Sequence, residues 1–168
     1  ILLATAIVMI LVGGCNVLTA VSFVVHPEPE VEAVHTLRDV PTVVFIDDRS
    51  NRISPVRLRR IIAEEATTVL MEEDLISEHN MISSRDATMV STRHDRSGKL
   101  LSMNAIGEAT GAAQLIYVYV EEFALTRDGY NPEPRCICRV RVLDIEEKKR
   151  IFPPPDDPSS YGYYRLDV

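Results

Sequence analysis

The stretch Gln114-Leu115-Ile116-Tyr117-Val118-Tyr119-Val120-Glu121-Glu122-Phe123 decides the fold of this chain. It is β-branched or aromatic through most of its length, and such side chains fit the pleated surface of a strand. Toward the carboxyl end, residues 127–135 hold Gly129, Pro132 and Pro134 and read as a loop. Residues 136–145 read as a second strand. Arg135, Arg139 and Arg141 alternate with Cys136, Cys138, Val140 and Val142, the period of a strand with one wet and one buried face. The two runs predict a long hairpin. Glu146-Glu147-Lys148-Lys149 is a charged turn, and Arg150-Ile151-Phe152 starts a further strand. Pro153-Pro154-Pro155 then ends regular structure and leaves 153–168 as a Pro-rich C-terminal tail.

Toward the amino end, Pro41-Thr42-Val43-Val44-Phe45-Ile46-Asp47-Asp48 is a continuous apolar run closed by two acids. It reads as a strand buried on both faces. Ser54-Pro55 opens a helix, with Ser as N-cap and Pro in the first helical position. Leu58, Ile61, Ile62, Ala66, Val69 and Leu70 define its apolar face, and it ends near Asp74. A short strand over 80–83 follows, then a helix over 85–93 capped by Ser84 and a turn at 94–99. Ser102 caps a last helix, which carries Met103, Ile106 and Ala109 and stops at Gly111. Helices that alternate with strands before a closing meander predict an α/β domain over 41–152. Its mixed sheet has helices packed mainly on one face, and a signal/anchor segment precedes it.

The chain has 168 residues, enough for one globular domain that needs no metal or disulfide to stand alone. Its net charge is −7, and every charge lies at or after Glu28. An acidic body repels phosphate backbones, so nucleic acid is not an expected partner. Arg57, Arg59 and Arg60 read as part of a solvated helix face.

Residues 1–12 are apolar and are followed by Gly13, Gly14 and Cys15. An apolar core ending in small residues is the pattern of a secretory signal. The chain lacks an initiating Met and a basic leader, so a longer precursor is expected. Val12-Gly13-Gly14-Cys15 resembles a bacterial lipobox. The resemblance implies a signal peptide over 1–14, cleavage between Gly14 and Cys15, and a diacylglycerol thioether on Cys15. It places the protein in the cell envelope, anchored to a membrane by lipid and facing the periplasm. Residues 16–25 stay apolar, so the alternative is an uncleaved spanning helix over 1–25, since about 20 apolar residues cross a bilayer. His26-Pro27-Glu28-Pro29-Glu30-Val31-Glu32 is a semi-rigid acidic spacer, and 15–40 reads as lipidated Cys plus extended linker.

A second resemblance rests on Ala105-Ile106-Gly107-Glu108-Ala109-Thr110-Gly111-Ala112-Ala113 leading into the strand at Gln114, and on Val140-Arg141-Val142-Leu143-Asp144. Over residues 41–147 this is similar to the module of the curli-secretion lipoprotein and the amino-terminal domain of TolB-type proteins. The whole chain resembles lipoproteins of planctomycete-type bacteria. The resemblance implies a fold and a compartment, and no activity.

Two features remain as candidate chemistry. Asp47 and Asp48 end a strand, where α/β sheets bind ligands, so they are the residues for a metal-dependent enzyme or phosphate-binding alternative. The strand end also looks like the first strand of a receiver domain, but that family's later phosphoacceptor Asp and Lys have no counterpart. Helix-start and turn chemistry explains the same acids. Cys136 and Cys138 lie two apart on one strand, about 6.6 Å, at the limit of disulfide geometry. Two ligands fall short of the roughly four that structural zinc takes, and the four histidines have no metal spacing. The expectation is a pair of small core residues, with an intermolecular or redox role as the alternative. Gly98-Lys99 lacks a phosphate-loop pattern, and no serine sits in a nucleophile elbow. The leading reading is a non-catalytic binding or assembly module for other envelope proteins, with no cofactor. Its long strand from Leu115 to Phe123 would offer an edge for strand addition.

Overall fold

The computed structural model describes residues 35–95, 100–126, 129–157 and 161–168. Gly14, Cys15 and the whole signal, anchor and spacer segment up to residue 34 lie outside the described residues. In chain order the elements are β1 (Thr42–Asp47), α1 (Arg57–Glu72), a single 3-10 turn, β2 (Met81–Ile82), α2 (Ser84–Asp95), α3 (Met103–Thr110), β3 (Gln114–Thr126), β4 (Pro132–Asp144), β5 (Lys149–Phe152) and β6 (Tyr164–Asp167). The strands form one six-stranded sheet in the order β2-β1-β3-β4-β5, with β6 also paired to β4. β1 runs parallel to β2 and β3, and the other pairings are antiparallel. The expected mixed α/β sheet is therefore present.

Alternation along β1 divides the core. Val43 and Phe45 face one side, where Ala87 of α2 and Ile106 of α3 meet Leu115, Tyr117 and Leu143. Val44 and Ile46 face the other, where Ala63, Ala66 and Leu70 of α1 cover Ile116, Val120 and Val142. Two of the three described helices thus share a face and α1 takes the opposite one. Every residue of β1 is buried as a result, which is what its unbroken apolar run requires.

Several local expectations shift. α1 begins at Arg57, with Val56 at its N-cap and no side-chain cap, so Ser54 and Pro55 precede the helix. The segment before it is committed to the Asp48 carboxylate, which binds the backbone at Arg52 and Ile53. Ile61 and Val69 are exposed, and the packed stripe of α1 runs through Leu58, Ile62, Ala63, Ala66 and Leu70. α2 includes Ser84, and the hydroxyl of Ser83, one residue earlier, accepts from Arg85 N at 3.3 Å. α3 matches its reading, with Ser102 Oγ accepting from Ala105 N and Gly111 closing the helix at φ 74°. The hairpin is longer than expected, because Pro132 already pairs with Thr126 across a bulged end. The sheet also continues past residue 152, where β6 returns to pair Tyr164 with Val140 and Asp167 with Ile137. The tail carries a strand because Tyr164 and Leu166 alternate with charged residues, a pattern that Pro153-Pro154-Pro155 masks. Among the described residues no helix is long and apolar enough to cross a membrane.

Candidate functional site

β1 ends at the carboxyl side of the parallel strands, and successive residues there point to opposite faces. Asp48 turns toward α1. Its Oδ1 accepts from Arg52 N at 2.7 Å, and its Oδ2 accepts from Ile53 N at 3.0 Å and from Arg59 Nη2 at 2.8 Å. The carboxylate is wholly buried, and its partners among the described residues come from the following loop and helix. Arg59, expected on a solvated face, is turned inward to neutralise it. Arg60 follows the surface reading and pairs with Glu64 one turn on. Arg52 adds a bond from its guanidinium to the carbonyl of Glu121, tying the loop to the distal part of β3.

Asp47 turns the other way. Its Oδ2 accepts from the Tyr117 hydroxyl at 2.7 Å, and its Oδ1 accepts from Arg49 N at 3.2 Å. Burial, reinforced by donation to this carboxylate, pushes the Tyr117 phenol above its usual value, so Tyr117 serves as a permanent donor. Arg49 bridges Asp47 at 3.5 Å and Asp95 of α2 at 3.4 Å. Past the strand end opens a cavity of about 350 Å³, lined among others by Asp47, Asp48, Arg49, Arg59, Ser91 and Asp95.

This arrangement does not make a paired-carboxylate metal site. The two acids sit on opposite faces, and each already accepts from the chain's own N–H, O–H and guanidinium donors. Hard divalent cations need about six or more oxygens, and a cation here would have to displace those donors. Among the described residues no three His, Cys, Asp or Glu side chains converge on a metal-sized point. The sequence did not point to Arg49, Arg59, Tyr117 or Asp95. Of these only Tyr117 had an available signal, since its register beside Phe45 and Asp47 follows from aligning the two parallel strands.

Cys136 and Cys138 are free thiols whose Sγ atoms lie 3.4 Å apart. Both pack with Ile46, Ile53, Ala63 and Val120, the core role expected for them. Burial, then the contact with Cys136, pushes the Cys138 thiol up to about 12, far from the nucleophilic thiolate. His35 stacks on Phe152 with ring centroids 5.4 Å apart, and burial lowers its pKa.

The expected free edge along Leu115 to Phe123 is corrected over Leu115 to Tyr119, which β1 covers, while Val120 to Phe123 lie beyond the end of β1. β3 is central, paired from Gln114 to Tyr119 with β1 on one side and along its length with β4 on the other. Its second half, past Tyr119, pairs with β4 alone. Among the described residues, the outer strands are the two-residue β2 on one side and β5 and β6 on the other.

Comparison with known proteins gives structural likenesses at low identity. No family model matches the chain, and neither does any curated protein. The solved structure of the hypothetical protein CT253 from Chlamydia trachomatis aligns at TM-score 0.45 and 19% identity, covering 77% of this chain and 72% of that one. Lipoprotein GNA1162 from Neisseria meningitidis aligns at TM-score 0.40 and 12% identity, covering 77% and 78%. The LpoB C-terminal domain from Escherichia coli aligns at TM-score 0.41 and 12% identity, covering 78% and 84%.

Proposed function

We propose that this chain is a lipid-anchored protein of the bacterial cell envelope whose α/β domain acts as a non-catalytic binding or assembly module. The observation that carries the reading is the apolar run over residues 1–12 leading into Val12-Gly13-Gly14-Cys15. Gly14 leaves room for a peptidase at the backbone, and Cys15 supplies the thiol to be alkylated. One acyl chain holds a protein only marginally, whereas two or more make a stable anchor. The acidic, proline-spaced segment after the anchor holds the domain away from anionic headgroups, on the periplasmic side, where its partners are other envelope proteins. The non-catalytic part of the reading is supported by Asp47 and Asp48, the best candidates for chemistry, whose oxygens are occupied by the fold's own donors. A second reading, an uncleaved spanning helix over 1–25, is favoured by the apolar character of residues 16–25.

Metabolic labelling with a tagged fatty acid tests the two against each other. Wild type should take up label and Cys15→Ala should not, and the mature mass should begin at Cys15. A wild-type chain that stays in the membrane without label, with 1–14 retained, would reject lipid anchoring in favour of the spanning helix.

A further inference from the structure

The outer edge of β6 has a pattern that specifies its own partner. β6 lies outside β4 with no strand beyond it among the described residues, and its four residues are all exposed. Cys136 and Val168 exchange both backbone hydrogen bonds, at 2.7 and 2.9 Å. In an antiparallel ladder such pairs alternate with pairs whose N–H and C=O groups point away from each other. The unbroken register Ile137↔Asp167, Cys138↔Leu166, Arg139↔Arg165, Val140↔Tyr164 then fixes the direction of every group. Tyr164, Leu166 and Val168 turn their backbone inward to β4, and Arg165 and Asp167 present theirs to the open edge.

The side chains alternate in the same period. Tyr164, Leu166 and Val168 lie on the face of Cys138 and Val140, yet they are 48%, 44% and 73% exposed, a half-covered apolar stripe beyond α1 in which the Tyr164 ring rests against Phe152 at 5.5 Å. Arg165 and Asp167 lie on the opposite face, and among the described residues their ion pairs are long, Asp167 with Arg165 at 3.6 Å and with Arg135 at 3.5 Å.

We propose that β6 joins a second copy of this chain, antiparallel about a two-fold axis at Leu166. The register follows from parity and charge. A strand added here must oppose outward-facing backbone with outward-facing backbone, so a symmetric pairing centres on a residue, and over the stretch that carries both outward-facing residues the axis falls at Arg165, Leu166 or Asp167. An axis at Arg165 sets guanidinium against guanidinium, and an axis at Asp167 sets carboxylate against carboxylate. Like charges directly opposite are destabilising. The axis at Leu166 sets each Arg165 against Asp167 of the second copy, and each of these pairs exchanges both backbone hydrogen bonds. On the other face Leu166 meets Leu166, and Tyr164 meets Val168, so the apolar stripe is covered. A contact of one short strand is small beside a stable dimer interface, so the dimer is a reversible one. The inference stands whether or not the chain is lipidated.

Cysteine scanning along β6 in the full chain, in detergent micelles with a mild oxidant, tests the register. At a non-hydrogen-bonded pair the facing Cα atoms are about 4.5 Å apart, within disulfide reach. Leu166→Cys should form a covalent dimer in high yield, while Arg165→Cys and Asp167→Cys alone should not rise above the wild-type background set by the native cysteines. Light scattering gives an independent reading. Wild type should reach two chains per micelle as concentration rises, Arg165→Asp should weaken this at least tenfold, and Arg165→Asp with Asp167→Arg should restore it. A wild-type chain that stays single, or equal cross-linking at 165, 166 and 167, would overturn the proposal.

Discussion

In the parallel half of the sheet, β1 lies between β2 and β3 with helices on both faces, and the acids at its end are turned into the chain itself. In the antiparallel half, β4 carries β5 and β6 along its outer side, and much of its charge faces water, as in Arg139 with Glu121 and Arg135 with Asp167. The difference is physical. A parallel strand is covered on both sides by its crossover helices, so a carboxylate there survives only when its desolvation is offset by donors at close range. An antiparallel edge keeps one side in solvent, and its charges and backbone remain available to another molecule. Buried, donor-saturated carboxylates thus mark the first region, and solvent-facing charge with an open backbone edge marks the second.

The contrast is broken most sharply by removing a charge from each half. Asp48→Ala leaves Arg59 and two loop N–H groups without their acceptor, and is expected to cost about 3 kcal/mol, the low end for a broken buried pair because Arg59 keeps some solvent contact. Arg139→Ala, which removes a closer ion pair with Glu121 at 2.6 Å but at the surface, is expected to cost about 0.5 kcal/mol. Urea denaturation of both variants measures the difference, and equal losses would erase the distinction. Gly107→Ala sharpens it from the packing side. A Cβ there would meet Ile145 Cδ1 at 2.5 Å, so about 2 kcal/mol of overpacking is expected in the same assay. Tyr117→Phe removes the O–H that donates to Asp47 and is expected to cost about 1.5 kcal/mol, with Arg49 left as the remaining side-chain partner.

A smaller effect belongs to pH. Asn80, then Ser77, hold the Asp39 carboxyl at about 2 by hydrogen bonding, below its ordinary value near 4. A lowered folded-state pKa contributes stability that is complete above the unfolded value and is lost as pH falls through the folded one. Thermal melts taken from pH 6 downward should therefore fall off between about pH 4 and pH 2. Asp39→Asn should flatten that part of the profile. An unchanged slope would remove Asp39 from the acid response.

The element order was legible because hydrophobic period states it directly. The unbroken run 42–46 required cover on both faces, and the structure supplies α1 on one and α2 with α3 on the other. Ser102 and Gly111 marked the limits of α3 through local capping chemistry alone. The start of α1 was not legible, because the Asp48 carboxylate draws in the backbone of residues 52 and 53 and takes the segment before the helix with it. β6 was hidden for a related reason, since three prolines before it signal an end while its pairing partner is more than twenty residues away. At the candidate site, the two acids were visible but their roles were not. Adjacency in sequence suggested a shared ligand, whereas strand alternation sends one to Tyr117 and the other to Arg59.

The claim that these acids hold the fold and not a ligand is tested most directly by thermal melts of the full chain in detergent micelles, with Mg²⁺, Ca²⁺ or Mn²⁺ raised to millimolar concentration. A ligand that binds only the folded state raises the melting temperature in proportion to its occupancy. No cation-dependent rise is expected, and Asp48→Asn should have a lowered melting temperature whether or not cation is present. A rise in wild type that saturates with one of these cations and is absent from Asp47→Asn would contradict it.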